Sequence, residues 1–134
     1  MRIFKTKVFA KFAKKEQIND SVLCEAVERA ERGLIDADLG GYVIKQRVNR
    51  EGQGRSKGHR VIIAFISKKR SFFLHGFSKN DKDNLSDDEL EMMKRLASHW
   101  LNYNEKKIQI ALKEGELKEV KNEKKIKSGN KNNR

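Results

Sequence analysis

The side chains best suited to chemistry in this 134-residue chain are its cations and two of its histidines. Between residues 43 and 82 there are 11 Lys and Arg against 2 Asp and Glu, whereas residues 83–104 hold 2 against 5. Lys45 and Arg47 stand two apart in YVIKQRV, a spacing that puts both on one face of a strand with Ile44 on the other. Cations on ordered strands can hold phosphates in register, while a basic tail only raises salt-sensitive, non-specific affinity. His59 and His75 fall in the same stretch, and an imidazole near its ordinary pKa of about 6.5 can give or accept a proton close to neutrality. The whole chain carries 31 basic and 19 acidic residues, a net +12, with a pI near 9.9. That balance points to an anionic partner, nucleic acid first and a strongly acidic protein second.

The same residues disfavour other chemistries. A single cysteine, Cys24, makes neither an intramolecular disulfide nor a cysteine metal cage, and His59, His75 and His99 lack zinc-ligand spacing. GQGRSKG has glycines and cations but not the spacing of a nucleotide-binding loop, and it leads into a strand rather than a helix. Phe72, Phe73 and Phe77 could stack on bases, but strand alternation must bury one face, so at least two of them are expected in the core. Cys24, Met93 and Trp100 read as packing residues. No apolar run approaches the roughly 18 residues of a membrane span, and the first residues lack the apolar core of a secretion signal. A cytoplasmic protein is expected, although the six bases and no acid up to Lys15 also suit a transit peptide.

The elements that must position these groups follow from periodicity. Residues 3–9 (IFKTKVF) read as a strand, and Asn19-Asp20-Ser21 caps a helix that carries Leu23, Ala26, Val27 and Ala30 on one face and stops at Gly33. LIDADLGG breaks the pattern before the half-buried strand YVIKQRV. The unbroken apolar run Val61–Ile66 reads as a strand buried on both faces and therefore central in its sheet, and Ser67–Arg70 turns it into SFFLHGF as an antiparallel hairpin. Ser86-Asp87-Asp88-Glu89 has the form of a capping box ahead of Leu90, Met93, Leu96, Ala97, Trp100 and Leu101 at helical spacing. A shorter helical pattern covers 105–114 and ends at Gly115, with 116–120 as a brief extended piece. The order strand, helix, three strands, helix predicts an α+β fold in one domain over 1–120, followed by a basic, disordered tail over 121–134.

The block VIKQRVNREGQGRSKGHRVIIAF at 43–65, with RSFFLHGFSKND at 70–81, resembles the RelE/HigB-like toxins of bacterial type II toxin–antitoxin systems. Within them it is most similar to short translational repressors with a GQGKSGGYR-like loop and an FFLYGFAKNE-like strand end; IALKEGELKEV at 110–120 is similar to the end of that subgroup. The resemblance implies a small twisted antiparallel sheet, here of about four strands, with helices packed on it. It also implies a ribosome-dependent messenger-RNA endonuclease that needs no metal or small-molecule cofactor. In that chemistry the ribose 2′-OH attacks the neighbouring phosphate, so cations must stabilise the phosphorane and two groups must move protons.

Carried over residue by residue, Lys45 and Arg47 resemble the family's basic pair on a strand facing the messenger. Arg60 matches the arginine that opens the apolar strand and would bind the scissile phosphate, its planar fork engaging two oxygens. Lys79 is similar to the basic residue after the last strand, and Arg50, Arg55 and Lys57 would grip RNA backbone. The tyrosine or histidine that relatives use for proton transfer has no clear counterpart, and His59 and His75 are the substitutes. His59 stands where relatives carry tyrosine, which equally suits packing, while His99 beside Trp100 reads as structural. The implied partners are a cognate antitoxin and the ribosome with messenger in its A site, with no membrane. Two alternatives stay open: a non-catalytic RNA- or DNA-binding module, and a ParE-like gyrase inhibitor on the same scaffold.

Overall fold

A computed structural model describes residues 1–49, 58–78 and 84–121 of the chain. The expected tail, apart from Lys121, and the glycine-rich segment 51–57 lie outside these residues. The elements in chain order are β1 (Arg2–Thr6), α1 (Lys7–Lys15), α2 (Asp20–Glu31), β2 (Ala37–Gly40), β3 (Val43–Val48), β4 (His59–Ile66), β5 (Arg70–Ser78), α3 (Asp87–Leu101), α4 (Glu105–Lys113) and β6 (Leu117–Glu119). Each helix starts on a side chain that satisfies its free N–H groups. The Asn19 side chain accepts from the Val22 N–H at 3.2 Å, and the Asn104 side chain from the Lys107 N–H at 2.9 Å. At α3 the capping box is complete: Ser86 Oγ accepts from the Glu89 N–H, and Glu89 Oε1 from the Ser86 N–H. The chain turns after α2 at Gly33 and after α4 at Gly115, both with positive φ.

The sheet runs β2-β3-β4-β5-β1-β6 and is antiparallel except where β1 lies parallel to β5. Helices cover both faces, so each strand sorts its side chains into two cores. Ile44, Val48, Val61, Ile63, Phe65 and Phe73 pack with Phe9 of α1 and Leu23 and Val27 of α2. Val43, Ile62, Ala64, Phe72, Leu74 and Phe77 pack with Met93, Ala97 and Trp100 of α3 and Ile108 of α4. Strand β4 contributes alternately to both, and Val61 to Ala64 have no exposed surface. A strand with no polar face belongs inside the sheet, and here it has two strands on one side and three on the other. All three phenylalanines of β5 are core residues, as are Met93 and Trp100. Cys24 is half-buried on α2, with its thiol 3.5 Å from the Lys121 carbonyl.

The sheet has six strands, not four, and is mixed rather than wholly antiparallel. The strand expected over 3–9 ends at Thr6, and the chain then enters a helix that the alternation of IFKTKVF conceals. Thr6 Oγ1 causes the change: it accepts from the Phe9 N–H at 3.2 Å while donating to the Phe73 carbonyl at 3.1 Å, capping α1 and pinning it to β5. Phe9 and Ala13 then bury one side of α1 at helical spacing. LIDADLGG, read as a break, contains the edge strand β2. Its turn to β3 has positive φ at both Gly41 and Tyr42, a geometry whose twist suits a two-residue hairpin.

Two glycines mark close approaches. A Cβ on Gly76 would stand 2.2 Å from the Phe12 ring, so glycine lets α1 lie against β5. A Cβ on Gly58 would stand 2.0 Å from the Val48 carbonyl oxygen and 2.8 Å from Asn49 Cα, backbone atoms that cannot step aside alone. Gly58→Ala is therefore expected to destabilise the fold by about 1–3 kcal/mol, the usual range for overpacking. Urea unfolding followed by tryptophan fluorescence reads this, and an unchanged midpoint would refute it.

Candidate nucleic-acid interface

Strand β3 separates its functional and structural side chains by alternation. Lys45 and Arg47 share the face of Val43, while Ile44, Gln46 and Val48 point into the α1/α2 side. The ladder carries that face across the sheet: Arg47 lies opposite Arg60 and Arg60 opposite Phe77, and one step along Lys45 lies opposite Ile62 and Ile62 opposite His75. A bulge in β5 places Leu74 between the residues paired with Ile62 and Ile63, which brings His75 onto the Lys45 row. Lys45, Arg47 and Arg60 thus line one cavity of about 240 Å³, walled by Asp36 and Ala37 on one side and Asn84 on the other.

Gln46 holds the wall. With no exposed surface, it donates from Nε2 to the Ala26 and Leu34 carbonyls at 3.0 and 3.1 Å, and its Oε1 accepts from the Asp36 N–H at 2.8 Å. Asp36 Oδ2 in turn accepts from the Arg47 N–H at 2.6 Å and lies 3.7 Å from Arg29 Nη1. Arg29 is itself buried, bonded to Glu25 and to the Arg47 carbonyl. Asp36, the one carboxylate among the described residues that line the cavity, is thereby committed to backbone and Arg29.

The cations of the cavity are not so committed. None of the ion pairs among the described residues uses Lys45, Arg47 or Arg60. Lys45 Nζ donates to the neutral Asn84 Oδ1 at 2.8 Å. Arg60 is only 7% exposed, and its Nη1 is buried with no hydrogen-bond partner among the described residues. A guanidinium taken out of water without a counter-ion is costly, and the cost is relieved when an anion arrives. Three cations around one cleft are suited to a phosphodiester, whose oxygens can accept from the arginine fork.

The other expected site residues are dispersed. His59 precedes Arg60 and so faces the opposite side of the sheet, where its Nε2 lies 2.8 Å from Glu16 Oε1 and its ring meets Phe12 edge-on at 5.5 Å. These contacts place it in the packing between β4 and α1. His75 is half-buried on the face of the cations, its ring 6.0 Å from that of Phe77. His99 packs against Trp100 and Tyr103. Arg50, Arg55, Lys57 and Lys79 lie outside the described residues. Sequence reasoning missed Asp36 and Asn84, which have no motif of their own; the density of turn residues around each was the only signal. Among the described residues no three His, Cys, Asp or Glu side chains stand together as metal ligands.

An unpaired buried cation is poor for stability. Arg60→Met, which keeps most of the apolar stem and removes the charge, is expected to raise the unfolding free energy by about 1 kcal/mol. Urea denaturation tests this, and a clear fall in the midpoint would show that the guanidinium is satisfied in the fold.

No curated protein matches the chain. A family model described as the RelE toxin of the RelE/RelB toxin–antitoxin system matches residues 1–120, which takes in every described element from β1 to β6. Such a match spans the sheet, both helical layers and the cationic cavity together, and it brings a cognate antitoxin with it as partner. The chain belongs to the RelE toxin family of toxin–antitoxin systems.

Proposed function

We propose that this toxin is a ribosome-dependent messenger-RNA endonuclease acting in the cytoplasm. The observation that carries the reading is the buried Arg60 Nη1, without a hydrogen-bond partner among the described residues, beside Lys45 and Arg47 in one open cavity. In the proposed reaction the ribose 2′-oxygen attacks the adjacent phosphorus as the P–O5′ bond breaks, leaving a 2′,3′-cyclic phosphate and a 5′-hydroxyl. The 2′ proton passes to a base and O5′ receives a proton, so no water or redox partner enters the balance. Arg60 binds the non-bridging oxygens as charge builds on the phosphorane, and Lys45 and Arg47 hold the flanking phosphates. His75 is the proton carrier that shares their face, whereas His59 turns away from it. Arg50, Arg55, Lys57 and Lys79 extend the RNA contacts on either side of β4 and β5 in sequence.

Among the described residues the cationic face has one histidine, His75, to carry a proton, and the reaction relies on placement of the messenger. The ribosome supplies that placement, which converts a poorly oriented encounter into a near-attack geometry. Cleavage of free RNA is accordingly expected to be slow. Primer extension on a defined messenger in a purified translation system tests the reading, with and without ribosomes. Arg60→Ala is expected to reduce ribosome-dependent cuts by about 10²–10³-fold, the usual cost of losing one donor to a developing oxyanion. Equal cutting by the variant, or rapid cutting of naked RNA, would overturn it. Absence of cuts while translation or DNA supercoiling is still inhibited would turn the assignment to a binding toxin or a gyrase inhibitor.

A further inference from the structure

A second feature of the surface lies beside the cationic face. Where β1 ends and α1 begins, the sheet and α3 leave an apolar groove of about 440 Å³. Its floor is Leu74, Met93 and Trp100, all nearly inaccessible, and its lips are Val8 at 67% and Met92 at 53% exposure. These two are among the five most exposed large hydrophobic residues of the described chain, and both border this one groove. A scattered exposed hydrophobe needs no explanation, but two flanking a formed groove mark an interaction surface. The volume falls within the range of about 300–1,000 Å³ typical of ligand sites, and a lining with two methionines can repack around apolar side chains.

We propose that this groove seats apolar side chains of the cognate antitoxin, whose adjoining acidic residues lie over Lys45, Arg47 and Arg60. The inference rests on the functional reading only in taking the cationic face as the surface to be silenced. Continuity and charge both favour this occupant. Leu85 lines the groove while its chain neighbour Asn84 lines the cationic cavity and accepts from Lys45, so the two features adjoin and one segment can reach both. The chain's net charge of +12 selects an acidic partner and steers its approach. The rim itself holds Lys7, Glu89 and Glu116, a mixed set that attracts neither sign strongly, so apolar contact supplies the affinity there. An amphipathic helix or short extended segment with two or three apolar anchors meets these requirements. RNA phosphates and antitoxin carboxylates would compete for the same guanidinium, which makes inhibition a direct consequence of docking.

Val8→Glu and Met92→Glu, singly and together, test the proposal. Both positions are exposed; an acid near the start of α1 suits the helix dipole, and glutamate is a good helix former within α3. The probe is the purified product of the gene adjoining that of this chain, titrated by calorimetry against full-length toxin. Each single variant is expected to weaken binding at least 10-fold and the pair about 100-fold, with loss of neutralisation in cells. Ribosome-dependent cleavage should stay at the wild-type level, since neither residue touches the cationic cavity. Unchanged affinity in the double variant, or no binding by the wild-type toxin, would overturn the proposal. Loss of cleavage with affinity intact would assign the groove to RNA. A wild-type dimer made monomeric by the substitutions, with antitoxin affinity intact, would assign it to a second copy. A toxin that cuts no messenger yet loses its antitoxin in the double variant would refute the nuclease reading and leave the docking site standing.

Discussion

Everything at the cationic face depends on the side-chain alternation of β3 against β4. Because successive residues of a strand face opposite ways, a slip of one position would drive Lys45 and Arg47 into the apolar layer under α2 and expose Ile44 and Val48. Both faces of this pair are covered by helices, so the penalty for slipping falls on each core at once. Gln46 adds a polar lock. Its amide exchanges three hydrogen bonds with α2, the following loop and Asp36, partners it could not meet from the other face. A buried polar side chain fully matched in one register and stranded in the next specifies that register better than an apolar one would.

The same alternation separates two adjacent residues into different roles. His59 and Arg60 are neighbours in sequence but stand on opposite faces, one bonded to Glu16 and packed on Phe12, the other closing a cavity with Lys45 and Arg47. The contrast in their surroundings is electrostatic. Arg29, also buried, is surrounded by Glu25, Asp36 and a carbonyl oxygen, whereas Arg60 has a nitrogen with no protein partner among the described residues. A buried guanidinium nitrogen left unmatched among the described residues, beside one matched so fully, is the feature on which the proposed phosphate contact rests. The neighbouring apolar groove, proposed above as the antitoxin's seat, adjoins this face through Asn84 and Leu85.

Much of this was legible in the residues. The apolar run of β4, the capping box of α3, the Asn19 cap of α2 and the Gly33 and Gly115 stops are local signals whose physics acts within a few residues, and each stands where its pattern indicates. The pairing of Lys45 with Arg47 on one face is equally local. Helix α1 was hidden because its first residues alternate like a strand, and Thr6 ends the strand through a bond to Phe73, 67 residues away. Strand β2 was hidden because an edge strand can be held by backbone bonds and a turn while showing little apolar pattern of its own.

Composition and short-range spacing thus determined a basic α+β chain whose cations concentrate on its central strands, along with most helix boundaries. Those properties depend on charge number and on 2.0- or 3.6-residue periods, which one strand or helix contains in full. Tertiary structure alone decided that β1 would lie parallel to β5, that Arg60 would meet Lys45 and Arg47 while His59 turned away, and that Asp36 would be spoken for by Arg29 and the Arg47 backbone. Strand order, cross-strand register and the burial of a charge depend on partners tens of residues distant, and no local period carries that information.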